Sequence, residues 1–171
     1  MRVSPFSRAP YLFAAAAAAI LADQAVKYAV ERYLPFQEPV HVVPTLALYR
    51  TYNDGIAFSM LSGLTDFALA VLALVVVLFV TYLWRKTPPD RLFAHPGFAL
   101  ILGGAIGNLI DRVAHGYVID YVLFYVGDWS FAVFNLADAL ISVGAAMVVL
   151  DEAIDWLRNH RRLKSDERRG N

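Results

Sequence analysis

The 171-residue sequence contains no cysteine, which excludes disulfides, thiolate metal sites and thiol nucleophiles together. Histidine is scarce. His41, His95, His115 and His160 are scattered, with no H-x-x-x-H pair on one helix face, so no metal site is expected and each reads as an interfacial or capping residue. Charge is scarce too: charged residues make up 18% of the chain and hydrophobic ones 58%, where soluble domains carry about 25% and roughly 45–50%. The formal net charge of +0 hides an uneven distribution. Basic residues flank apolar stretches instead of forming a face of their own, which argues against a nucleic-acid partner.

Long apolar runs are what the chain has in abundance. Crossing a bilayer takes about 20 mainly apolar residues in a helix. Phe67 to Trp84, Phe93 to Ile110 and Phe131 to Leu150 meet that plainly, and Tyr11 to Val30 is a fourth candidate whose second half carries Asp23, Gln24 and Lys27. Read alone, that fourth stretch also fits a cleaved secretory signal, with Arg2 and Arg8 before an apolar run from Tyr11 to Leu21. Arg2 and Arg8, then Arg85, Lys86 and Arg91, then the basic residues from Arg158 onward mark three segments as cytoplasmic by the positive-inside rule. Both termini are therefore expected inside, with 31–66 and 111–130 facing outward. The chain reads as one domain over residues 1–171, with a polar, frayed tail over 157–171.

The outward segments carry their own signals. Val40-x-Val42 and Leu46-x-Leu48 alternate, and with Pro44 and Asp54-Gly55 they predict short strands and a turn on the membrane surface. Tyr121, Phe124, Tyr125, Trp129 and Phe131 suit an interfacial segment among headgroups.

Polar groups inside a bilayer are costly and usually mark a function or a pairing need. Here Asp23, Gln24, Lys27, Asn108, Asp111, Arg112, Asn135 and Asp138 gather toward the outer ends of their spans, with Asp120 in the loop between the last two. Asp23 and Lys27, like Asn108 and Arg112, are four apart, and Asn135 and Asp138 three apart, so each pair is expected to share a helix face. Lys27 and Asp111 read as parts of snorkelling salt bridges that anchor helix ends, Asp23–Lys27 and Asp111–Arg112. Asp138 has no cation on its own helix within reach, so it needs a partner from elsewhere or a proton. Gly103, Gly104 and Gly107 form a small-residue strip for helix packing, which would bring Asn108 and Arg112 close to a neighbouring helix.

Two carboxylates brought together supply what Asp138 lacks. Like charges at close range cannot both ionise, so one pKa rises and the pair holds one proton. The ionised member can take a proton from water while the protonated member donates to a carbonyl, the acid–base logic of aspartic proteases.

The runs Asn53-x-Gly55-x-Ala57-Phe58, Gly103-Gly104-Ala105-Ile106-Gly107-Asn108-Leu109-Ile110-Asp111-Arg112, Val118-Ile119-Asp120-Tyr121 and Phe134-Asn135-Leu136-Ala137-Asp138, with Asp23-Gln24 and Lys27, resemble bacterial lipoprotein signal peptidase (signal peptidase II). The resemblance spans the chain except its tails. It implies an all-α membrane protein of four transmembrane helices, with a small periplasmic β-like cradle and a periplasmic amphipathic helix. It implies an aspartic endopeptidase whose dyad is Asp120 and Asp138, within a polar shell of Asp23, Asn53, Gly55, Asn108, Asp111, Arg112 and Asn135. The implied substrate is a prolipoprotein already bearing diacylglycerol, cut just before the lipidated cysteine at the outer face of the bacterial inner membrane. No cofactor is expected, the other contacts are membrane lipids, and the protein is expected to be a monomer. Tyr121 departs from the family, which more often has Phe there; a hydroxyl at headgroup level should be tolerated. Ala137 and Ala139 would leave room beside Asp138. A cleaved signal becomes less fitting, because it would discard Asp23 and Lys27.

Two other classes fit parts of the pattern. A magnesium-dependent lipid transferase could use Asp111, Asp120 and Asp138 as oxygen ligands. An ion or proton carrier could use Asp23 and Asp138 as relay sites, but it predicts polar residues through the full membrane depth.

Overall fold

A computed structural model describes residues 3–55, 66–127 and 129–169, with the side chains of 66–67 and 161–169 left aside. After a 3-10 turn at Pro5–Ser7 come helix α1 (Ala9–Tyr33), strands β1 (Val40–Val43) and β2 (Leu46–Asn53), helices α2 (Asp66–Lys86) and α3 (Ala94–His115), strands β3 (Val118–Val126) and β4 (Trp129–Ser130), and helix α4 (Leu136–Arg169). Ala9–Tyr33, Ala68–Lys86 and Ala94–His115 are long and apolar enough to cross a membrane. On α2 the large side chains Val75, Leu78 and Phe79 are more than half exposed, which suits a lipid-facing helix.

The strands form one antiparallel sheet in the order β1-β2-β3-β4. The mostly helical fold with a small β-like cradle is as expected, and the strands read at Val40–Val42 and Leu46–Leu48 are β1 and the start of β2. The difference is that the two segments read as outward-facing meet in this sheet, so Asp120 stands on strand β3 instead of in a loop. The amphipathic surface helix implied by the resemblance is not among the described residues, and Ala57 and Phe58 of the Asn53 motif lie outside them. The aromatic segment is the β3–β4 hairpin. Phe124, Trp129 and Phe131 are exposed as expected of interfacial rings, but Tyr121 is buried.

Helix α4 begins five residues later than the apolar run suggests. Phe131–Phe134 is extended, with Phe134 N–H donating to Val122 O (3.0 Å) and its carbonyl accepting from Val122 N–H (2.8 Å). Helix α4 starts at Leu136 and runs unbroken to Arg169, through the tail expected to fray. Helix α3 is the hub and packs against α1, α2 and α4. Glycines permit the close crossings: a Cβ at Gly103 would meet Ala19 of α1, and one at Gly104 would meet the Ala137 carbonyl of α4.

The end opposite the sheet is tied separately. Ser4 N–H donates to Pro89 O at 2.8 Å, and Trp84 Nε1 to Phe6 O at 3.0 Å. Arg91 reaches Asp151 (3.3 Å) and Glu152 (2.8 Å) on α4. His95 caps the α2–α3 turn through Pro88 O at 2.9 Å.

Candidate active site

The site is built where β2 and β3 meet the start of α4. Pairing of Asn53 with Val118 and of Thr51 with Asp120 makes Asn53 a diagonal neighbour of Asp120 across the two strands. Asn53 Nδ2 accordingly donates to Asp120 Oδ2 at 2.9 Å. The Asn53 amide cannot turn round, because its Oδ1 accepts the Gly55 N–H at 3.0 Å. Gly55 holds φ +101°, a conformation that suits glycine, and a Cβ there would collide with Leu69 of α2.

Helix α4 begins with all its early N–H groups occupied. Leu136 N–H donates to the Tyr121 hydroxyl (3.0 Å), Ala137 N–H to Asp23 Oδ1 (3.0 Å) and Asp138 N–H to Asn135 Oδ1 (3.0 Å). The Asp138 carboxylate in turn accepts Asn135 N–H at 3.2 Å. This reciprocal capping box places Asn135 at the N-cap, not on a helix face shared with Asp138 as the spacing suggests. Three elements, α1, β3 and the α4 cap itself, thus fix where Asp138 points.

Asn135 also reaches backward. Its Nδ2 donates to Asp120 Oδ1 at 2.7 Å and to Asn108 Oδ1 at 3.2 Å. Asn108 on α3 donates its Nδ2 to Asp138 Oδ1 at 2.8 Å. Each of these contacts to the two carboxylates comes from an N–H donor. Burial is the main force pushing Asp120 up to about 6; Asn53 and Asn135 oppose it, and the charge of Asp138 adds to it. Burial likewise pushes the Tyr121 hydroxyl up to about 12, so it stays protonated at neutral pH.

Behind Asn108 lies a second charged layer. Lys27 Nζ contacts Asp23 Oδ2 (2.9 Å), Asp111 Oδ2 (2.7 Å) and Asn108 Oδ1 (3.0 Å), and the residue is 1% exposed. The snorkelling reading of Lys27 is therefore wrong: it is a fully buried ammonium with three acceptors. Asp111 pairs with Lys27 and not with Arg112, and it also accepts from Gln24 Nε2 (2.9 Å) and Ile119 N–H (3.3 Å). The i,i+4 spacing with Asp23 is a local signal of this layer, but it fits exposed and buried pairs alike. Gly107 is a further hint, since a Cβ there would lie 2.6 Å from Asp23 Oδ2.

A cavity of about 630 Å³ opens beside Asp138. Its wall includes Phe131, Val133, Ala139 and Val143, with Asn53, Arg112 and Asp138 as its polar edge. Arg112 Nη1 donates to the Asn108 carbonyl at 3.3 Å. Asp120, 2% exposed, stands one hydrogen bond behind Asn53. Ala139 lines the cavity as expected; Ala137 does not, being fully buried against α3 near Gly104. The structure therefore gathers Asp23, Asn53, Gly55, Asn108, Asp111, Arg112, Asn135, Asp120 and Asp138 around one site, and adds Lys27 and Tyr121. Among the described residues no group of three or more His, Asp or Glu is arranged to hold a metal ion.

A family model described as Signal peptidase (SPase) II matches residues 15–154. The chain is 62% identical over 136 residues to a lipoprotein signal peptidase of Sinorhizobium fredii, covering 80% of this chain and 82% of that one. It is 61% identical over 141 residues to one from Mesorhizobium japonicum, covering 82% and 84%. A solved bacterial membrane enzyme superposes with a TM-score of 0.78 at 25% identity, over 91% of this chain and 93% of that one. A second gives a TM-score of 0.74 at 25% identity, over 88% and 96%. With its apolar helices the molecule is an integral membrane protein. The chain belongs to the signal peptidase II family.

Proposed function

We propose that the chain is an aspartic endopeptidase that removes the signal peptide from diacylglyceryl-modified prolipoproteins. The cut falls just before the lipidated cysteine, at the outer face of the inner membrane. The observation that carries this reading is that one side chain, Asn135, ties buried Asp120 to the backbone of Asp138, and Asp138 lines an apolar cavity.

The roles follow from the surroundings of each carboxylate. Asp138 sits at the positive end of the α4 dipole and accepts two N–H donors, a setting suited to a carboxylate that receives a proton. Burial raises Asp120 above the ordinary carboxyl value, and we assign it the shared proton of the pair. Asp138 takes a proton from water as the water oxygen attacks the scissile carbonyl carbon, and Asp120 gives its proton to the carbonyl oxygen. On collapse the C–N bond breaks, Asp138 passes its proton to the leaving nitrogen, and a hydroxyl proton of the intermediate returns to Asp120. In this reading the substrate carbonyl takes the place that Asn53 holds at Asp120 Oδ2.

A diacylglyceryl substrate leaves the bilayer only at about 0.8 kcal/mol per exposed methylene, so the enzyme must meet it at acyl-chain depth. The apolar wall of Phe131, Val133 and Val143 suits that. The rest of the polar shell, Asp23, Asn108, Asp111 and Arg112 with Gly55, orients the pair, and an intact α1 supplies Asp23 and Lys27, which supports retention of the first span. The transferase alternative is weakened by Asp111, whose two oxygens already serve Lys27, Gln24 and Ile119. The carrier alternative lacks polar groups through the middle of α3, where Phe98, Ala99, Ile101, Leu102 and Ala105 are buried.

The test is cleavage of a lipidated prolipoprotein by the purified full chain in detergent, with and without chelator. The expected product is cut before the lipidated cysteine at a rate that chelator leaves unchanged. A chelator-sensitive rate, or transfer of lipid without peptide-bond cleavage, would reject this reading.

A further inference from the structure

An ammonium group has three donors and no acceptor, whereas an asparagine amide has a donor end and an acceptor end of nearly equal shape. Where the two meet in a buried place, the ammonium decides how the amide faces. Lys27 Nζ lies 3.0 Å from Asn108 Oδ1, with its other contacts to Asp23 and Asp111, so only the carbonyl end of Asn108 can face it. The NH2 end must then face Asp138 Oδ1, 2.8 Å away.

The constraint passes on. Asn108 Oδ1 also accepts Asn135 Nδ2 at 3.2 Å, and the Asp138 N–H, a donor that cannot reverse, holds Asn135 the same way round. The charged and closer Lys27 is the stronger of the two donors that fix Asn108. The same Asn135 Nδ2 is the donor at Asp120 Oδ1. If Asn108 were free to turn, it could present an acceptor to Asp138, and that contact would require the proton to sit on Asp138. The general base would then be lost.

We propose that Lys27 is a positioning residue that keeps Asp138 in the role of proton acceptor by fixing the direction of the Asn108 amide. This rests on the dyad reading of Asp120 and Asp138. Lys27 touches neither carboxylate of the pair; it acts through Asn108. The charged groups against it are Asp23 from α1 and Asp111 from α3, while Asp138 of α4 and Asp120 of β3 lie beyond the amides.

Removing Lys27 alone would strand two buried carboxylates, so the informative variant is Asp23→Asn/Lys27→Met/Asp111→Asn, which removes the ammonium with the charges it neutralises. Its cleavage rate on a lipidated prolipoprotein, at equal folded concentration, should show kcat lower by about 30-fold with KM within about twofold of the parent. In an Asn108→Ala background the same triple change should lower kcat by clearly less than the full drop of about 30-fold, because the amide it acts through is gone and only the direct hold of Asp23 and Asp111 on their own partners is altered. Parental kcat in the triple variant, or the full drop repeated in the Asn108→Ala background, overturns the proposal. Should the triple variant not fold, Asn108→Asp decides. It keeps an acceptor toward Lys27 but loses the donor toward Asp138, so kcat should fall by about 100-fold. Parental kcat there also overturns it. The dyad reading fails separately, by retained cleavage in Asp120→Asn.

Discussion

Asn135 binds both halves of the carboxylate pair with opposite ends of one amide: Nδ2 donates to Asp120 Oδ1 at 2.7 Å, and Oδ1 accepts the Asp138 N–H at 3.0 Å. The two jobs can be separated. Serine is as good an N-cap as asparagine, but it is too short to donate to Asp120. Asn135→Ser should therefore keep most of the stability while lowering the cleavage rate by about 30-fold. Asn135→Ala should lose the rate and also about 1 kcal/mol of stability with the cap. Thermal unfolding and cleavage measured on the same preparations check this. A serine variant cleaving at the parental rate would leave Asn135 with the cap alone.

Replacing either aspartate of the pair should be worse than replacing Asn135. Asp120→Asn and Asp138→Asn each keep shape and an acceptor but cannot exchange a proton at working pH, so each should abolish cleavage while the protein still inserts and folds. The double variant should be no slower than either single one, because the two groups act as a unit. Substantial cleavage by either single variant at equal membrane abundance would sink the assignment.

The burial of Asp120 has a consequence for stability. Between the ordinary carboxyl value of 3.8 and about 6, the folded chain holds a proton there that the unfolded chain has released. This contribution is complete below pH 3.8 and is lost as pH rises toward 6, a change of about 3 kcal/mol across the window. Melting temperature in detergent should therefore carry a declining component over that range, and Asp120→Asn should remove it. An equal slope in Asp120→Asn and parent would place the titration on another group.

Much of this arrangement is legible in the sequence, and what is not has physical causes. Helices α2 and α3 can be read nearly to their ends, because uninterrupted apolar runs leave few alternatives. Helix α3 runs past Ile110 to His115 because Asp111 finds Lys27 and Gln24 on α1, partners that no local pattern names. The apolar run misplaces the start of α4, since Phe131–Phe134 is as apolar as a span but gives its hydrogen bonds to β3. The Asn135-x-x-Asp138 spacing corrects that, being a capping-box pattern ahead of an apolar run. Asp120 stands out in the sequence, but its strand pairs with β2, some 70 residues earlier, and such register cannot be read from either segment alone.

Tyr121, which from sequence reads as a harmless extra hydroxyl at the headgroups, instead accepts the Leu136 N–H at 3.0 Å from a buried position. Tyr121→Phe would leave that helix-end donor without a partner, at about 1–2 kcal/mol. Asp23 and Asn135 still hold the next two N–H groups, so the cleavage rate should stay within about threefold of the parent. A lower melting temperature with nearly parental cleavage is the expected pair of results. Unchanged stability would mean that water satisfies the Leu136 N–H.

Arg112 differs from the rest of the shell in where its charge lies. It stands on the cavity wall beside Asp138 and donates to the Asn108 carbonyl, one turn back on its own helix. That contact anchors one nitrogen of the guanidinium at the polar edge of the cavity, where a substrate backbone carbonyl or lipid ester would lie. Lysine keeps the charge but loses the planar fork that can grip a helix carbonyl and a substrate oxygen at once. Arg112→Lys should therefore raise KM by about tenfold and lower kcat less, the mark of weakened substrate positioning rather than lost proton transfer. Rates must be compared at equal membrane abundance, so that a folding loss is not mistaken for chemistry. A fall in kcat at parental KM would instead make Arg112 a partner of the carboxylate pair. Fully parental kinetics would reduce it to a cation that any flexible side chain can replace.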